Sequence, residues 1–188
     1  MLCAGGLATQ MPYDHFEHCH RFAVWASARA TQRGFTTTEN LRDALESTCI
    51  RKFLAESKST ETDAKTFNSH HRKWCNAIVK FLSNKKIKNV TYGRAAKLVA
   101  VYLKAMVIIG ARSKSRLAAV AHPPIDSLLL RKLADSFENS PHKTTWRATA
   151  WTKLDEKAYY ELLATLRSVV PAPEPWWKIE KYWPVIRE

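Results

Sequence analysis

Residues 91–110 read TYGRAAKLVAVYLKAMVIIG. Apolar residues recur here at helical spacing without any strand-like alternation, so the stretch predicts a helix over about 92–109 that is buried on nearly every side. Thr91 or a neighbour can cap its start, and Gly110 ends it. Its polar residues are few and aligned, because Arg94, Lys97 and Lys104 stand at i, i+3 and i+10 and share one stripe.

The same periodicity extends outward in both directions. Upstream, residues 15–33 predict a first helix. Thr36 with Glu39 resembles a capping box ahead of a second helix whose face carries Leu41, Leu45, Cys49 and Phe53. A third carries Phe67, His71, Trp74, Ile78 and Leu82, and a lysine-rich turn from Asn84 to Asn89 links it to the apolar helix. Downstream, ARSKSRLAAVAHPP reads as a basic loop until Pro123 and Pro124 bar any helix before Asp126. SLLLRKLADSF is the next helix, a polar loop with Pro141 leads to Trp151, and a helix of about 153–170 turns Leu154, Ala158, Leu162, Thr165 and Leu166 inward. PAPEP breaks it, and an aromatic segment over 171–188 closes the chain. With only five glycines, no internal repeat and no alternating run, the fold class is all-α. One compact helical domain is expected over 1–188, with room for two lobes.

Charge is concentrated. From Ala64 to Ile125 there is no acidic residue, yet this stretch holds 13 of the 30 lysines and arginines, the whole formal excess of +13. Such clustering marks a surface that lies on a polyanion, so the nucleic-acid-facing part is placed at about 64–125. No apolar run approaches a bilayer span and the N-terminus lacks a leader pattern, which predicts a soluble, unexported protein with no membrane partner. Cys3, Cys19, Cys49 and Cys75 form no CxxC pair, so reduced thiols and a cytoplasmic setting are expected. His15, His18, Cys19, His70 and His71 give no complete ligand set at a known spacing, and neither a metal nor another cofactor is predicted.

Two residues carry the chemistry. Lys97, flanked by Ala96 and Leu98 and near other cations, is either part of a solvated stripe or a partly desolvated amine suited to nucleophilic attack. Asp126 follows Pro-Pro-Ile and precedes an apolar helix, where an N-cap is wanted. A helix N-terminus also keeps a carboxylate ionised, which suits one that must stabilise positive charge on a sugar.

The pair YGRAAKLVAVYLK and HPPIDSLLLRKLA, with Lys97 and Asp126 separated by 29 positions, resembles the helix-hairpin-helix DNA glycosylase superfamily, and among its members the 8-oxoguanine glycosylases most. The resemblance covers roughly 85–137. It implies a helix-hairpin-helix-like element, with Lys97 as nucleophile and Asp126 assisting. It also implies double-stranded DNA containing a damaged or modified base as partner, a monomer, and excision by base flipping with AP lyase activity, a role in DNA repair. Where that family uses two hairpin glycines to hold a phosphate, NVTYGR offers only Gly93, with Lys85, Lys86 and Arg94 to compensate. Lys88, Lys104, Arg112, Lys114 and Arg116 complete the expected DNA-binding set. Arg29, Gln32, His122, Trp146 and Trp151 are base-pocket candidates, with Trp176 and Trp177 as further aromatic faces. The quartet of cysteines that holds an iron–sulfur cluster in some relatives is absent.

Two rival readings stand beside it. Arg116 and His122 form an Arg-x5-His pair like that of HEPN ribonucleases, although Leu117 follows the arginine and two prolines follow the histidine. The other rival is a non-catalytic nucleic-acid binder, a defence or regulatory subunit in which Lys97 merely touches phosphate.

Overall fold

A computed structural model describes residues 13–110 and 112–183; Cys3, the N-terminal stretch read for a leader and residues 184–188 of the closing segment lie outside them. The described residues form helices joined by turns and loops, without a strand: α1 (His15–Thr31), α2 (Thr38–Glu46), α3 (Ile50–Ala55), α4 (Ala64–Asn84), α5 (Tyr92–Leu103), α6 (Arg116–Val120), α7 (Ser127–Ser136), α8 (Lys143–Ala148) and α9 (Glu156–Leu166). The all-α class follows directly from the helical periodicity. No helix among the described residues is long and apolar enough to cross a membrane.

Helix α5 is the axis of the molecule. Helices α1 and α4 both pack against it, and α2 bridges those two. Its Leu98, Val99, Tyr102 and Leu103 are buried, while Arg94, Lys97, Val101 and Lys104 stay half-exposed along one stripe. Beyond Leu103 the helix widens into a π-helical turn, Lys104–Ile109. On the other side α7 packs on α8 and on a closing 3-10 segment, Trp176–Tyr182.

Local hydrogen bonding moves several predicted boundaries. The cap of α2 is Thr37 rather than Thr36, since its hydroxyl accepts from the Asn40 amide at 3.2 Å. The expected second helix is cut in two because the Ser47 and Thr48 hydroxyls donate back to the Ala44 and Leu45 carbonyls, each at 2.7 Å. Such side chains compete with the helical ladder. The basic loop contains α6, capped by Ser115, and the polar loop contains α8. Cys49 is disulfide-bonded, which corrects the expectation of four reduced thiols; Cys19 and Cys75 are free.

The turn joining α4 to α5 takes left-handed backbone at Lys86 (φ 58°) and Asn89 (φ 59°), not at a glycine. Gly93 instead lies inside α5 and fills a packing role. A Cβ there would sit 2.1 Å from the Trp151 carbonyl oxygen, and its amide already donates to the Leu154 carbonyl at 2.9 Å. The expectation that Gly93 offers its amide to a phosphate is therefore overturned, because that donor is spent on the chain following α8. Gly93→Ala is expected to destabilise the protein by about 1–3 kcal/mol or more, since backbone must shift to admit the methyl; a denaturant midpoint equal to wild type would contradict the contact.

Beneath α5 lies a buried aromatic cluster. The His71 ring stacks on Tyr159 with centroids 5.5 Å apart and meets His122 at 4.6 Å. Burial pushes His71 down to about 3 and, with His71 beside it, holds His122 well below the usual imidazole range. Both are neutral when folded, whereas the unfolded chain takes up protons near pH 6.5. The stability they contribute is complete above about pH 6.5 and is lost as pH falls from there toward 3, by about 1.4 kcal/mol per pH unit for each histidine. Melting between pH 7 and pH 4 is expected to show this fall, and His122→Gln, which keeps a polar partner for Tyr159, is expected to reduce its slope by about half.

Candidate functional site

The site is built where the exposed stripe of α5 meets the first turn of α7. Asp126 is the cap of α7: its Oδ1 accepts from the Leu128 and Leu129 amides, both at 3.0 Å. The other oxygen, Oδ2, accepts from Lys97 Nζ at 3.2 Å. One carboxylate thus serves both as cap of α7 and as ion-pair partner of Lys97. The pair is sheltered, with Lys97 exposed by 11% and Asp126 by 17%. On its other side Lys97 Nζ lies over the Trp151 ring, 4.6 Å from the centroid, in cation–π contact. The cap fixes Asp126, and Asp126 with Trp151 fixes the ammonium.

Two clefts meet at this pair. One, about 430 Å3, is lined by Arg33, Arg94, Ser127, Trp151 and Thr152 together with Lys97 and Asp126. The other, about 250 Å3, runs along the π-helical turn and is walled by Phe22, Val101, Ala105, Ile109, Pro124 and Trp183, with Lys104 and Glu180. Lys104 and Glu180 are hydrogen-bonded to each other, and Lys104 also faces the Trp183 ring at 5.6 Å. Burial raises the Glu180 carboxyl above the usual carboxylate range, opposed by its Lys104 partner.

Several other expected site residues are placed elsewhere. His122 is buried in the aromatic cluster, its Nδ1 3.3 Å from the Tyr159 hydroxyl, and Trp146 is a core residue whose Nε1 donates to Thr165 Oγ1 at 2.9 Å. Neither lines a pocket beside Lys97, because each is taken up by packing; Trp151 does. Trp176 is likewise buried, with the Arg167 guanidinium 4.2 Å from its ring centre. Trp177 is half-buried, and among the described residues its buried Nε1 has no hydrogen-bond partner. Arg29 is exposed and Gln32 half-buried at the end of α1, whose Ala30, Thr31 and Arg33 reach the larger cleft.

The cations divide as well. Arg112 is half-exposed, with Nη1 donating to the Leu54 carbonyl at 2.7 Å and to Ser59 Oγ at 3.3 Å, so part of its guanidinium is engaged within the fold. Lys85 pairs with Asp43 at 3.0 Å. Arg94 is partly buried against the Phe35 ring, 4.4 Å from its centroid. Lys86, Lys88, Lys114 and Arg116 are exposed. Arg116 and His122 do not form a joint surface site, since one is exposed and the other buried.

Comparison with family models, with curated proteins and with solved structures finds no match for this chain. Its chemistry therefore has to be argued from the arrangement itself. Sequence reasoning missed Glu180, Trp183 and Phe22. An acid inside the aromatic run WWKIEKYW was the available signal for Glu180, and Phe22 with Trp25 off the buried face of α1 was the signal for an aromatic rim. Among the described residues no group of three or more His, Cys, Asp or Glu is arranged to hold a metal ion.

Because Asn retains a side-chain oxygen for the two amides but leaves the Lys97 ammonium without its carboxylate, Asp126→Asn is expected to lose about 1–3 kcal/mol and Asp126→Ala about 1 kcal/mol more. Denaturant curves on both variants check it; equal losses would mean that the ion pair, not the cap, dominates.

Proposed function

We propose that this protein is a DNA glycosylase of the helix-hairpin-helix superfamily, excising a damaged or modified base such as 8-oxoguanine and acting as an AP lyase through Lys97. The observation that carries the reading is the sheltered 3.2 Å pair of Lys97 and Asp126, whose carboxylate is held by a helix N-terminus at the meeting point of two clefts. A nucleophilic amine needs a nearby group to take its proton, and Asp126 is in reach. The same carboxylate stands where it can offset positive charge developing on the sugar.

The steps follow from that geometry. The target nucleotide leaves the stack, because C1′ cannot be reached inside a duplex. Lys97 passes a proton to Asp126, and its freed lone pair bonds to C1′ as the glycosidic bond breaks. The bonding electrons leave with the base, which takes the proton from Asp126 as it departs and so leaves a carboxylate facing the sugar again. Opening of the sugar ring gives a Schiff base between Nζ and C1′, and β-elimination then releases the 3′ phosphate and nicks the strand. Lys86, Lys88, Lys114 and Arg116, all exposed, supply cations for the DNA backbone. Acting on the cell's own duplex DNA as a monomer, such an enzyme would work in the cytoplasm, at the nucleoid in a bacterium, in base-excision repair.

Burial of His122 removes the support for the ribonuclease alternative, which needs an accessible Arg–His pair. A non-catalytic nucleic-acid binder does not call for an amine and a carboxylate sheltered together at a cleft. Borohydride trapping on lesion-bearing and abasic duplexes tests the proposal. Lys97→Gln is expected to abolish both excision and the covalent adduct while leaving duplex affinity within a few-fold, because one sheltered, paired cation among many contributes little to the total electrostatic term. Excision by Lys97→Gln at the wild-type rate would remove Lys97 as the nucleophile.

A further inference from the structure

The two clefts that share Lys97 and Asp126 differ in charge and in surface. The larger one contains Arg33, Arg94 and Lys97 against Asp126 alone, an excess of two positive charges. The smaller one contains Lys97 and Lys104 against Asp126 and Glu180, and balances. A phosphodiester is stabilised by the first and gains nothing from the second, while a neutral ring is suited to the second. The smaller cleft also falls below the size of drug-sized ligand pockets, roughly 300–1,000 Å3, leaving room for one ring system.

Its walls point the same way. Phe22, Ile109 and Trp183 are among the few large apolar side chains that remain substantially in water, and all three border this cleft. Clustered exposed apolar groups mark places where something flat and apolar is received. The π-helical turn contributes Lys104, Ala105 and Ile109 to the same wall, and such turns are frequent at functional sites. Within this apolar setting stands an ion pair whose desolvation is costly. Lys104 donates to Glu180 Oε2, and among the described residues Oε1 has no protein donor.

We propose that the smaller cleft seats the extruded base, stacked on Phe22 and Trp183, and that Glu180 and Lys104 read an edge on which an N–H donor stands beside an acceptor. A carboxylate only accepts and an ammonium only donates, so the side-by-side pair matches that edge and no edge made of acceptors alone. Glu180 takes the ring N–H, and Lys104 donates to the neighbouring oxygen or nitrogen. The larger cleft then receives the sugar–phosphate, with Arg33 and Arg94 facing the anion and Lys97 between base and backbone. Glu180 is thus a specificity-determining residue supplied by the closing segment. This assignment rests on the glycosylase reading of Lys97 for its biological meaning, but the cleft can be tested without it.

The probe is inosine, whose base edge carries one N–H beside a carbonyl, compared with 1-methylinosine, in which that donor is blocked. Saturation-transfer NMR on the full chain is expected to show inosine contacting the protein and 1-methylinosine at least about 10-fold weaker, the scale of a lost hydrogen bond to a charged group. Glu180→Gln and Trp183→Ala are each expected to weaken inosine contact. In parallel, borohydride trapping on an abasic duplex measures the Lys97 chemistry with no base present. Equal transfer from the two nucleosides, or none from inosine, overturns the cleft assignment, whatever the trapping result. Selective inosine contact without trapping would leave the cleft standing and remove the glycosylase reading.

Discussion

The carboxylate of Asp126 holds the site together because its two oxygens do different work. Oδ1 satisfies the Leu128 and Leu129 amides at the start of α7, and Oδ2 holds the Lys97 ammonium from α5. A capping bond of this kind contributes about 1 kcal/mol, and leaving a sheltered ammonium without its partner costs about 1–3 kcal/mol more. Together they tie the position of α7 to the exposed stripe of α5. Pro123 and Pro124 prevent the preceding chain from entering a helix, so the aspartate is delivered in extended backbone, φ −146° and ψ 174°, as a cap requires.

The helices and this pair were legible in the sequence because both are written in local patterns. Periodicity placed the stripe of Arg94, Lys97 and Lys104, and in the fold the half-exposed positions of α5 are Arg94, Lys97 and Val101, with half-exposed Lys104 opening the π-helical turn that follows. The proline pair ahead of Asp126 marked the cap. What the sequence did not reveal depends on partners distant along the chain. Arg112 looks like any other cation of the basic stretch until the Leu54 carbonyl and Ser59 are seen beneath it. His122 and Trp146 look like site candidates until their burial against Tyr159 and Thr165 is seen. Gly93 is the clearest case. Its spacing fits a hairpin glycine, yet the left-handed positions fall on Lys86 and Asn89, and the missing side chain is needed where Trp151 crosses α5.

That crossing has a consequence for the site. Trp151 brings its carbonyl against Gly93 and its ring over Lys97, one turn further along the same helix. The Thr91 hydroxyl donates to the Thr152 carbonyl at 2.9 Å and also accepts from the Arg94 amide, so the cap of α5 and the segment carrying Trp151 are locked to one another. The aromatic face over the amine is therefore held by backbone contacts and does not depend on the tryptophan's own rotamer preference.

The unmatched charge of the basic stretch narrows once pairing is counted. Lys85 is neutralised by Asp43, Lys104 by Glu180 and Lys97 by Asp126, while half-exposed Arg112 is tied to the Leu54 carbonyl and Arg94 is half-covered by Phe35. The cations left in water are Lys65, Lys73 and Lys80 on α4, Lys86 and Lys88 on the turn between α4 and α5, and Lys114 and Arg116 before and at the start of α6. A surface that grips a polyanion works through such exposed cations, whereas the paired ones fix the geometry of the cleft. The sequence concentrates both kinds in one stretch because α5 must serve as buried axis and as wall of the site. Only its exposed stripe has room for charge, and each ammonium there that lacks water must find an acid from another part of the chain.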